Sequence, residues 1–109
     1  MMMRWSPAPP PRSSCPHRRL GRLLGRQLPH GLTLAASTLR PWASASFVGA
    51  RHIFPCRFAA GEAMALVAAL RSRLGDAEWA LPGHIVADVA VEPGPEPDVL
   101  RIEILMVED

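Results

Sequence analysis

The chain has 109 residues, of which twelve are proline, eight glycine and two cysteine, and tyrosine is absent. That leaves room for one small domain and excludes long uninterrupted secondary structure. The formal net charge of +2 is unevenly divided: nine arginines and no acidic residue precede Glu62, whereas three arginines and ten acids follow from Glu62 onward.

Seven prolines fall within the first 41 residues, and Pro7 to Pro16 fix the backbone angle and remove donors. Residues 1–41 therefore read as a disordered basic arm. Within it, a short amphipathic helix is predicted over 17–28. Leu20, Leu23, Leu24 and Leu28 share one arc, and Arg18, Arg19, Arg22 and Arg26 share the opposite one. Gly21 and Gly25 each cost about 1 kcal/mol against alanine, so the helix needs a surface or partner to form. The four arginines are candidate phosphate ligands, which makes nucleic acid a partner reached through the arm. A basic segment poor in acids also fits an organelle transit peptide, with a mitochondrial location as the alternative to a cytoplasmic one.

Residues 42–109 read as the compact part. Val48, Ala50, His52, Phe54, Cys56 and Phe58 alternate with Phe47, Gly49, Arg51, Ile53 and Arg57, a strand pattern. Pro55 cannot donate to a ladder and marks an edge or a bulge. From Gly61 to Leu74 the apolar residues Ala63, Leu66, Val67, Leu70 and Leu74 recur at helical spacing. Glu62 lies in the first turn, Arg71 and Arg73 in the last, and Gly75 is expected to close the helix in the left-handed conformation. Met64 lies on the flank of that stripe as a gap filler.

Leu81-Pro82-Gly83-His84 carries the type II turn signature. Ile85, Ala87, Val89 and Val91 then alternate with His84, Asp88 and Glu92. After a loop, Leu100, Ile102, Ile104 and Met106 alternate with Arg101 and Glu103. The expected fold class is α+β, a two-layer β-α-β-β domain. It has the architecture of half a ferredoxin-like split βαβ unit, with parallel strands flanking the helix and a final antiparallel hairpin.

A single helix covers one face of such a sheet. The other face is expected to present Phe47, Ile53, Val86, Leu105 and Val107 among its charges, more apolar surface than solvent contact needs. These five residues are the candidate interface of a homodimer or of a complex with a protein partner. The expected function is a non-enzymatic association module, with nucleic-acid binding through the arm as the alternative.

No run approaches the roughly 18 apolar residues of a membrane span. Pro7 to Pro16 interrupt any secretory leader, and the separation of Cys15 and Cys56 suits a reducing compartment. His52 with Cys56 and His84 with Asp88 share strand faces, but a spacing of four puts side chains roughly 13 Å apart, too far to share a metal ion. Ser44 and Ser46 near His52 follow from alternation, and the row His84, Asp88, Glu92 reads as a solvated face. Gly21 and Gly25 lack the context of a phosphate loop. No catalytic residue, cofactor or small-molecule substrate is indicated.

Overall fold

Phe54 and Ile102 face each other across two neighbouring strands, and helices close over them from one side only. The computed structural model describes residues 16–59 and 62–109. In chain order these form helix α1 (Pro16–Gln27), strands β1 (Leu32–Leu34), β2 (Thr38–Ala43) and β3 (Val48–Phe58), helix α2 (Ala63–Gly75), and strands β4 (His84–Pro93) and β5 (Val99–Glu108). The class is α+β: two helices and a five-stranded antiparallel sheet. The strand order is β3-β5-β4, with β1 and β2 both paired to the outer side of β3. Because β3 and β4 each run antiparallel to β5, they point the same way, joined by α2.

Residues 16–41 do not behave as the expected arm. A boundary at Trp42 falls inside β2, and Leu20 and Leu24 of α1 are fully buried in the core. The helix forms where the leucine arc predicts it. The surface it needed is this chain's own sheet, where a Cβ on Gly21 would lie 3.5 Å from the Phe54 ring. Arg19 adds a tether, its Nε donating to the Ala80 carbonyl at 2.9 Å. Residues 1–15, the proline-rich start of the expected arm, lie outside the described region.

The core face carries His52, Phe54, Cys56 and Phe58 from β3 and Leu100, Ile102, Ile104 and Met106 from β5. Against them pack Leu20, Leu24, Val67, Leu70 and Leu74. The stripe on α2 is as expected. Its C-terminus is not: Gly75 is the last helical residue and Asp76 caps it in a right-handed conformation, while Met64 stays exposed. Arg71 ties this helix to β4 through its Nε and the Val91 carbonyl, 3.1 Å apart. The type II turn forms as written, with Gly83 at φ 79° and His84 N–H donating to the Leu81 carbonyl at 3.0 Å.

Two irregularities decide which side chains face where. Leu34 pairs with Cys56 and Thr38 with Ile53, so the three residues Ala35 to Ser37 span Phe54 and Pro55. Pro55, which has no N–H, thus lies on an interior strand, and the break falls on its neighbour instead. The second is a bulge in β4 between Val86 and Asp88. It shifts the alternation by one, so Val86 turns to the core while Ile85, expected inside, is 48% exposed.

At the far end Trp42, Gly49, Val107 and Ile85 form one cross-strand row. A Cβ on Gly49 would lie 2.0 Å from the Met106 carbonyl oxygen, so only glycine allows β3 and β5 this approach.

Candidate functional site

The break in the edge strand positions the site. It turns Ser37, in the connector between β1 and β2, toward the first turn of α1, where His17 reaches it. His17 Nε2 lies 2.8 Å from Ser37 Oγ, and His17 Nδ1 lies 2.8 Å from His52 Nδ1. The two imidazole planes are 17° apart with centroids 5.0 Å apart. Nitrogens at 2.8 Å are too close for face-stacked rings, so the pair is edge to edge, with one N–H aimed at the other ring's lone pair. Phe54 lies nearly parallel to His17, 5.4 Å away, and forms an apolar wall.

His52 is 1% exposed. Burial, reinforced by the nearby His17 and His84, pushes its pKa down to about 4. Burial also lowers the His17 pKa. Both rings are therefore neutral at pH 7, as the bond between them demands. Arg18 and Arg19 follow His17 on α1, and His84 at the start of β4 and Glu108 at the end of β5 lie beside His52. A pocket of about 110 Å³ opens beside it, lined by Pro16, Leu39, His52, His84, Met106 and Glu108. Two orders of donation satisfy both contacts: the Ser37 hydroxyl to His17 Nε2 with His17 Nδ1–H to His52, or His52 Nδ1–H to His17 with His17 Nε2–H to Ser37.

The sequence pointed to His52 on the core face but could not supply its partner. His17 and Ser37 are distant in the chain, and only the docking of α1 brings them together. His84 was expected beside Asp88 on the open face. The bulge separates them, placing His84 by the His52 pocket and Asp88 opposite Leu105. Cys56 is buried within the core and burial raises its thiol pKa, so it is a packing residue. Among the described residues no group of three or more His, Cys, Asp or Glu side chains is placed to hold a metal ion. Ser44 accepts from the N–H of Phe47 at 3.1 Å, a turn role.

Of the candidate interface residues, Ile53 and Leu105 are half-buried on the open face and Phe47, at the turn before β3, is 53% exposed. Val107 is only 7% exposed, and Val86 packs toward the core. The open face is thus less apolar than its sequence suggests, and its charges are ordered. Arg51 and Arg101 flank Glu103, at 3.6 and 3.0 Å. Arg51, Leu105 and Asp88 form one cross-strand row, and Pro55, Arg101 and Glu92 form another. On α1, Arg18, Arg22 and Arg26 are exposed, and Arg19, Arg22, Leu23 and Arg26 line a second hollow of about 110 Å³.

The chain matches no family model, no curated protein and no solved structure. No described helix is long and apolar enough to cross a membrane.

Proposed function

We propose that the protein is a self-association module that pairs two copies through the open face of the sheet. The observation that carries this reading is the charge order across β5. Arg51 on β3 and Asp88 on β4 lie in the same row on either side of Leu105. A second copy related by a two-fold axis running along β5 would set each Arg51 over the other copy's Asp88. It would also bring Leu105 against its counterpart and Ile53 over the other copy's Ala90, the self-complementary pattern of an isologous pair. Within this reading the unit β3-α2-β4-β5 is half of a ferredoxin-like arrangement. The support for that likeness is the order β3-β5-β4, and α1 takes the place of a second helix.

Light scattering on the full chain tests the pairing. Twice the chain mass is expected at high concentration. Arg51→Asp or Asp88→Arg alone should weaken dimerisation about tenfold or more, because each sets like charges together. The double exchange should restore it. A single-chain mass at every concentration, or a double variant no better than the singles, overturns the pairing.

A further inference from the structure

We infer that Ser37 is an activated nucleophile, an acyl-acceptor site for small esters with good leaving groups, with His17 as its general base and His52 as the residue that positions that base. The geometry has the three parts that nucleophilic activation needs. A hydroxyl lies 2.8 Å from an imidazole nitrogen, the second nitrogen of that ring is held at 2.8 Å, and the holding group is itself fixed by burial. A serine whose only task is to satisfy a turn, as Ser44 does, bonds to backbone near it in sequence. Ser37 instead meets a ring twenty residues away, and the three-residue break in the edge strand presents it there.

His52 adds the orientation. In the reactive arrangement His52 accepts the His17 Nδ1–H, the tautomer that leaves the Nε2 lone pair directed at the hydroxyl. Its low exposure keeps it from swinging to solvent, and neutral histidine is the form that can serve as acceptor. Ser37 is half-buried and so open on one side to a small reactant.

The step balances without a redox partner. Ser37 Oγ bonds to the ester carbonyl carbon while its proton passes to His17 Nε2. The tetrahedral adduct then collapses, the carbon–oxygen bond to the leaving group breaks, and the proton on His17 goes to the departing oxygen. The products are an acylated Ser37 and a free alcohol or phenol. Water attacking the acyl carbon by the reverse assistance of His17 would regenerate the hydroxyl.

The test is reaction of the full chain with p-nitrophenyl acetate, followed by intact mass and peptide mapping. One acetyl group on Ser37 is expected, with exposed Ser46 and Ser72 labelled far more slowly. The labelling rate should be flat above pH 7 and fall below pH 6.5 with a single midpoint, since His17 must be neutral to accept the proton. His17→Gln should slow Ser37 labelling about 100-fold or more, the usual share of a general base. His52→Asn keeps an acceptor for His17 Nδ1–H and should retain most of the rate, whereas His52→Leu keeps the burial without the acceptor and should lose about tenfold or more. Acetylation spread evenly over the serines, or a Ser37 rate proportional to hydroxide concentration, overturns the assignment. Both are read on the unaltered protein, so a variant that fails to fold does not shelter it.

Discussion

Replacing Leu20 and Leu24 together by alanine is expected to destabilise the protein by about 4–10 kcal/mol, enough to leave little folded chain at 25 °C. Each leucine is fully buried and belongs to the single core cluster shared by both helices and the sheet. Truncating a buried leucine to alanine costs about 2–5 kcal/mol through lost transfer energy and the cavity left behind. A domain of this size has roughly 5–15 kcal/mol to lose. Urea unfolding followed by far-ultraviolet circular dichroism checks this, and a midpoint equal to that of the parent protein would show that α1 is dispensable. The same reasoning forecasts that a chain begun at Trp42 does not fold. It lacks α1, which covers the β3 side of the sheet, and it lacks β1 and the first four of the six residues of β2.

Acidification from pH 7 to 4 is expected to cost roughly 3 kcal/mol through His52 alone. Its pKa falls from an ordinary 6.5 to about 4 in the folded chain, chiefly because burial penalises the charged ring. The unfolded chain therefore takes up the proton first. Stability is unaffected above about pH 6.5, falls as pH drops through the window between 6.5 and 4, and stops falling on this account once the folded form is protonated too. The lowered pKa of His17 acts in the same direction. Protonating both rings also sets two N–H groups against each other at the contact that joins α1 to β3. Urea midpoints taken across this range in the parent and in His52→Gln should diverge, with the variant losing less. Parallel pH dependences would assign the acid response to other groups.

How much of this was legible depends on what each element's partner is. The stripe on α2 is dictated by residues within one helix, and it could be read directly. The leucines of α1 showed an apolar side just as clearly, yet nothing in the sequence said which surface they meet. Arginine and proline around them suggested solvent. The strands β1 and β2 are short and separated by a break, and exist because β3 offers an edge. Alternation in Ile85, Ala87, Val89 and Val91 is as regular as that of an unbroken strand, so the bulge that inverts Ile85 and Val86 left no trace in the pattern. The pairing of His17 with His52 was invisible for the same reason. It depends on where a helix docks, while Pro55 announced only that the ladder nearby had to be irregular.

The seclusion of Cys56 has a practical use. With Cys15 changed to serine it becomes the sole sulfhydryl, shut away beneath both helices and less inclined than most to ionise. An alkylating reagent should reach it only when the whole molecule opens. Its modification rate would then clock global unfolding in native buffer, a built-in gauge that needs no denaturant. Rapid alkylation under those conditions would mean that the helices lift from the sheet far more often than a sealed interior permits.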